Sequence, residues 1–229
     1  MSLSRFEKLL AVITGAGLIA TMYGAFVWAP TEKTMGDIQR IFYIHVPTAW
    51  DALMAIIGIF ICSIAYLATK DLRWDRMSLA CAEIGTVFCT AFLVTGPIWA
   101  RPVWGVWWVW DARLTSSLIL WLMYLSYLLL RDFLEESQRR ATLAAVFGIF
   151  AAVDAPIVYF SIRLWRTQHP APVIMGGPDS GLDPTMFKVF MLSLATFTLL
   201  FVLLVIIRVR LEKHREEVRQ MRRTLMVEA

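Results

Sequence analysis

The sequence predicts an all-α, polytopic membrane protein with six transmembrane helices, and three observations carry that prediction. Of 229 residues, 59% are hydrophobic and only 17% charged, with a mean hydropathy of +0.63. That leaves too little polar surface for a water-soluble globule of this length. Six apolar stretches each approach about 20 residues, the length that crosses a hydrocarbon core. Finally, Lys and Arg fall in alternate connections between those stretches.

The spans read, in order, Leu9–Trp28, Ala49–Ala68, Met77–Ile98, Leu114–Leu130, Ala141–Ile162 and Met186–Ile207. The fourth is the shortest, and the Trp and Leu positions before it extend it into the interface. The first is longer than the apolar core of a signal peptide and no small-x-small cleavage site stands clearly before Pro30, so it is expected to be retained. Basic residues gather at Arg5 and Lys8, at Lys70, Arg73 and Arg76, at Arg131, Arg139 and Arg140, and seven times between Arg208 and Arg223. Fifteen of the 22 therefore share one side, which the positive-inside rule makes cytoplasmic together with both termini. Residues 1–207 form the membrane domain and 208–229 a charged cytoplasmic tail. The external loops are 29–48, 99–113 and 163–185.

Several function classes drop out. The net charge of +4 reflects this topology and points to no nucleic acid. Cys62, Cys81 and Cys89 lie inside spans without a CxxC pair, so they read as small apolar core residues. Walker A, HExxH and GxSxG patterns are absent, so the chain is not expected to be an enzyme, and any ATP hydrolysis belongs to another subunit.

The least probable stretch is Trp104-Gly105-Val106-Trp107-Trp108-Val109-Trp110-Asp111-Ala112-Arg113. Interfacial Trp belts form at both membrane faces. Here Trp28, Trp50, Trp99, Trp104, Trp107, Trp108, Trp110 and Trp165 all lie towards the external side, against Trp74 on the inner side and Trp121 within a span. Flat apolar indoles concentrated on one loop suit a planar ligand. Helical spacing would set Trp104, Trp107, Trp108 and Asp111 on one face, with Gly105 permitting close approach. Arg101 and Arg113 flank the segment; each can grip a carboxylate of a ligand or pair with Asp111 to close the loop.

His214 lies in the charged tail and reads as solvated, whereas His45 and His169 fall in two different external loops. Ile38, Ile41, Phe42 and His45 have the spacing of a helix lying in the interface, and Pro47 disfavours helix at Val46, giving the chain a place to turn into the second span. His169 precedes Pro170 and Pro172 on an irregular stretch. Two imidazoles on separate loops can reach opposite faces of one metal in a flat macrocycle, and imidazole is a standard axial ligand of haem iron.

The Trp104–Thr115 segment, with Arg40-Ile41-Phe42-Tyr43-Ile44-His45-Val46-Pro47 before it and Trp165-Arg166-Thr167-Gln168-His169-Pro170 after it, resembles the CcmC family of cytochrome c maturation, the haem exporter protein C family with its WWD domain. The resemblance covers nearly the whole chain. It implies a multi-pass protein of a bacterial inner membrane that holds haem b, non-covalently and transiently, at its periplasmic face. His45 and His169 would be the iron ligands, and Trp99, Arg101, Trp104, Gly105, Trp107, Trp108, Trp110, Asp111 and Arg113 would contact the macrocycle. It also implies partners: an ABC-type ATPase, a second multispan subunit, a small one-helix subunit, and a membrane-tethered haem chaperone that receives the haem. Longer WWD proteins carry further histidines within helices, which this chain lacks.

A cytochrome b-like electron-transfer subunit is the alternative, but such proteins hold haem through histidines inside the spans. A permease would concentrate polar groups near the midplane. Three acids remain. Asp51 is expected near the interface, at little cost, whereas Glu83 and Asp154 lie deeper and should find partners on neighbouring helices.

Overall fold

The computed structural model describes residues 3–134, 137–165, 167, 169 and 182–228, the side chains at 220, 223 and 226–228 excepted. These residues form α1 (Arg5–Tyr23), α2 (Phe42–Thr69), α3 (Leu72–Trp104), α4 (Ala112–Asp132), α5 (Ser137–Ala151), α6 (Asp154–Leu164) and α7 (Pro184–Glu228). Among the described residues, six helical segments are long and apolar enough to cross a membrane, with α5 and α6 making one of them together. The all-α, six-span reading therefore agrees with the structure, although the span ends shift.

The largest shift is at α2. Its helix starts at Phe42, directly after a 3₁₀ turn over Asp37–Ile41, and runs through Pro47 without turning. The expected interfacial helix and the second span are one continuous element. A proline in a helix leaves the carbonyl four residues earlier without its donor. Here that carbonyl belongs to Tyr43, and the buried Ser193 hydroxyl of α7 donates to it instead. Supplying the missing bond from a neighbouring helix is how a proline is accommodated where no water is at hand.

Asp51 consequently lies three turns into α2, fully buried against α7, where Thr198 Oγ1 donates to its Oδ1 at 3.2 Å and Oδ2 has no hydrogen-bond partner among the described residues. Its burial inside the bundle is what the sequence reading did not include. Glu83 does find a partner on a neighbouring helix, in Arg208 of α7. Asp154 does not: its Oδ2 is buried and unpartnered among the described residues. Asp154 sits where the fifth span breaks. Pro156 cannot donate to Ala152, and Val153 and Ala155 instead bond three residues back, at 3.1 and 3.2 Å, so α5 stops at Ala151 and α6 restarts at Asp154.

α2 is the centre of the bundle and packs against α3, α5 and α7. Small residues let α2 and α3 approach closely. A Cβ on Gly85 would meet the Ala55 Cβ at 2.6 Å and the Tyr124 ring at 2.7 Å. Ala52, Ile56, Ala82, Cys89 and Tyr124 fill the core around that contact. All three cysteines are buried and free.

The two ends of the bundle differ in chemistry. At one end ion pairs tie the helices together: Glu7 with Arg210, Arg76 with Glu216, and Asp75 with Arg131. At the other end α1 finishes in a π-helical turn over Gly24–Trp28, and the Arg40 guanidinium donates to the carbonyls of Ala25 and Ala29. His214, assigned to solvent, is half exposed and lies 3.1 Å from Glu217.

The Ser193–Tyr43 bond gives a stability prediction. Ser193→Ala leaves a buried carbonyl unpaired and should cost about 1–3 kcal/mol in detergent unfolding. Pro47→Ala restores a backbone donor for Tyr43, so the double variant should recover most of that loss. Additive losses would show that the hydroxyl matters for some other reason.

Candidate functional site

At the end opposite the ion pairs, a cavity of about 370 Å³ opens between α2, α3, α4 and α6. Its walls include His45, Trp99, Trp104, Trp107, Trp108, Arg113 and His169. The structure thus gathers residues from three distant parts of the chain around one space, within the range usual for small-molecule sites.

His45 is the most rigidly held. It is buried on the first turn of α2, with the rings of Trp99 and Phe92 edge-on at 5.7 and 6.1 Å. Gly96 leaves room for it, since a Cβ there would lie 3.3 Å from the His45 Cε1. The His45 Nδ1 is 2.9 Å from the Thr95 hydroxyl, which donates its one proton to the carbonyl of Ala91 at 2.8 Å. The Thr95 Oγ1 is also 3.2 Å from the Phe92 carbonyl, and in the arrangement in which the hydroxyl donates within its own helix it accepts from His45 Nδ1. That places the imidazole proton on Nδ1 and leaves Nε2 with a free lone pair, the arrangement a metal-ligating histidine needs. His169 and Arg113 lie within electrostatic range of His45.

His169 is held differently, by a relay through Thr167. The His169 backbone N–H donates to Thr167 Oγ1 at 3.1 Å, and Thr167 donates to Asp111 Oδ2. Asp111 is also the N-cap of α4, accepting from the Leu114 N–H at 2.8 Å. One carboxylate thus joins the Trp segment, α4 and the His169 stretch. Arg166, Gln168 and residues 170–181, part of the third expected loop, lie outside the described residues.

The Trp segment is not helical throughout. α3 carries Trp99, Arg101 and Trp104, and ends because Gly105 adopts φ +78°, a left-handed conformation that suits glycine alone at low cost. Residues 106–111 are irregular, so Asp111 does not share a helical face with Trp104, Trp107 and Trp108. Trp107 and Trp108 still reach the cavity. Trp110 does not line it: the residue is 75% exposed, with its ring edge-on to Trp108 at 5.7 Å. Gly105, Asp111 and Arg101 also stand outside the lining. Neither arginine pairs with Asp111 as the sequence allowed. The Arg101 guanidinium donates to the Gly105 carbonyl and that of Arg113 to the Val158 carbonyl.

The cavity also holds residues that sequence patterns did not single out: Glu32, Met35, Phe92, Leu53 and Val158. Thr95 and Phe92 sit one and two helical turns from Trp99, so helical spacing back from that residue was the signal for them. Nothing in the sequence pointed to Met35. Two donors in the walls are unused among the described residues, Trp99 Nε1 and Trp108 Nε1. Both belong, with Arg113, to side chains that line the cavity, so N–H donors accompany the apolar rings there.

Fold and site together define a class: polytopic helical membrane proteins with a histidine-bearing aromatic cavity at one end of the bundle. Comparison with known proteins is specific. Residues 2–224 match CcmC, described as "Heme exporter protein C". Relatives include heme exporter protein C of Bradyrhizobium diazoefficiens, 37% identical over 216 residues that cover 93% of this chain and 82% of the relative. The Haemophilus influenzae protein of that name is 34% identical over 221 residues, covering 94% and 86%. A putative cytochrome c biosynthesis ccmC-like mitochondrial protein of Marchantia polymorpha is 40% identical over 144 residues, covering 62% and 60%. The chain belongs to the CcmC, or heme exporter protein C, family.

The Thr95 contact is testable without any ligand. In Thr95→Val the Nδ1–H loses its acceptor, at a cost of about 1–3 kcal/mol to the bound tautomer. Nitrogen-15 shifts of labelled histidine should then show a mixed tautomer at His45, and Thr95→Ser should restore the single form. An unchanged signal in Thr95→Val would mean that another group orients the ring.

Proposed function

We propose that this protein is the haem-holding membrane subunit of a cytochrome c maturation system, binding haem at the periplasmic face of a bacterial inner membrane and passing it to a membrane-tethered haem chaperone. The observation that carries this reading is the convergence of His45 and His169 on one cavity lined by Trp99, Trp104, Trp107 and Trp108. Family membership supports it, since the relatives carry the name heme exporter protein C. The protein acts by binding and release, with ATP hydrolysis left to an ABC-type subunit. A second multispan subunit and a small one-helix subunit complete the assembly.

In this reading haem is the cargo, a b-type haem held without covalent bonds. His45, on a helix and with its tautomer set by Thr95, offers Nε2 to one face of the iron. His169 offers the other ligand from an irregular stretch held through Thr167 and Asp111. The indoles of Trp104, Trp107 and Trp108 cover the porphyrin, and Arg113 with the free N–H groups of Trp99 and Trp108 faces its carboxylates. Trp110, Arg101, Gly105 and Asp111 shape the rim. The asymmetry orders release: the loop-borne ligand, His169, is displaced first, while the helix-borne ligand holds the iron until the acceptor takes over.

Ligation is tested by spectroscopy of the purified protein. Haem should be present below one equivalent with a six-coordinate low-spin spectrum, and His45→Ala and His169→Ala should each give a weaker or five-coordinate form. An unaltered spectrum in both variants overturns the assignment.

The Trp segment divides further. Trp108→Leu should weaken haem binding by about two- to tenfold, the loss of one aromatic contact worth ~0.5–1.5 kcal/mol. Trp110→Leu, outside the cavity, should leave affinity near the wild-type value. Equal losses of folded protein in both would mark the segment as a membrane belt.

A further inference from the structure

A second cavity, of about 800 Å³, lies between α2 and the α5–α6 break. Its walls are apolar and aromatic, formed by Trp50, Leu53 and Ile57 on one side and Val153, Tyr159 and Phe160 on the other. Trp50, Ile57, Val153 and Phe160 are exposed on the outside of the bundle, on segments that cross the membrane, so this space opens to lipid. The lining residues bracket the break at Ala152–Val153, which exists because Pro156 lacks a donor. From Ile149 to Phe160 the wall runs about 16 Å at 1.5 Å per residue.

This space adjoins the haem cavity. Leu53 lines both. On α6, Val158 lines the first and its neighbour Tyr159 the second. The seam between the two spaces is therefore a single layer of side chains, and Leu53, half-buried and unbranched at Cβ, is the one with faces on both. A molecule that crosses here must be lipid-soluble, must tolerate fully apolar walls, and gains from flat faces that lie against Trp50, Tyr159 and Phe160.

We infer that the cleft between α2 and the α5–α6 break is a lateral vestibule through which haem passes from the bilayer into the His45–His169 cavity, with Leu53 the side chain that moves aside. This rests on the haem-holding reading above. It adds a route. The occupant is the tetrapyrrole itself, because the space leads into the aromatic cavity and does not end blind among acyl chains.

The test uses the full chain in lipid nanodiscs, with haem supplied from haem-loaded vesicles and followed by its Soret band. Leu53→Trp and Ala152→Trp, which fill the seam and the vestibule, should each slow loading by about tenfold or more, equivalent to at least ~1.4 kcal/mol of barrier. In Ala152→Trp, whose residue lies outside the haem cavity, final occupancy and the low-spin spectrum should match wild type. Leu53→Ala should load at least as fast as wild type. A fluorophore on Val153→Cys, in the otherwise unaltered chain, should be quenched by haem before the Soret shift develops. Wild-type loading rates in both Trp variants overturn the vestibule, as does a Soret shift without prior quenching at 153 or retention of lipid there throughout loading. Those outcomes leave haem binding itself intact. A wild-type protein that shows no Soret shift at all instead overturns the haem-holding reading.

Discussion

Everything in this bundle follows from the absence of water in the hydrocarbon layer, which obliges each backbone N–H and C=O to find a partner inside the protein. Regular helix meets that demand over most of each span. Where it fails, a specific group steps in. Ser193 serves the carbonyl that Pro47 strands, and Arg40 serves the carbonyls at the end of α1. The fifth span has only short-range backbone bonds across its break, and that is where it separates into two helices. At one end of the bundle the irregular backbone is tied by side chains, where Arg101 closes on Gly105 and Asp111 gathers Leu114 and Thr167.

Those ends have different work. At the basic end, ion pairs join α1 to α7, α3 to α7 and α3 to α4. Buried or half-buried pairs of this kind contribute little net stability, because desolvation opposes the attraction, but they penalise any other register of the helices. At the opposite end the helices surround a cavity whose walls carry Phe92, four indoles and two imidazoles. One end holds the helices in register so that the other can stay open.

The two cavity histidines are set by different elements. His45 is placed by helix, by Thr95 and by the packing of Phe92 and Trp99, whereas the His169 backbone joins a two-bond relay through Thr167 to Asp111. This gives the acid of the Trp-Trp-Val-Trp-Asp run a definite task. Asp111 caps α4 and accepts from Thr167, and so ties the end of the Trp segment to the backbone that carries His169.

Composition and spacing alone determined the six-span all-α fold and the clustering of basic residues in alternate connections, and singled out two histidines and four clustered tryptophans, of which all but Trp110 line one cavity. Those features depend on hydrophobic length and residue type, which are local properties of a chain. Tertiary structure alone decided that α2 runs unbroken through Pro47, that Asp51 is buried, that Trp110 and Arg101 stand outside the cavity, and that Thr95 stands within hydrogen-bond distance of His45 Nδ1. Each of these hinges on a group far away in sequence: Ser193 for Pro47, α7 for Asp51, the left-handed turn at Gly105 for the direction of the indoles, and a neighbouring helix for the imidazole proton. Periodicity reports which face of a helix is apolar, but it carries no record of which polar atom on another helix will be there to receive a stranded bond.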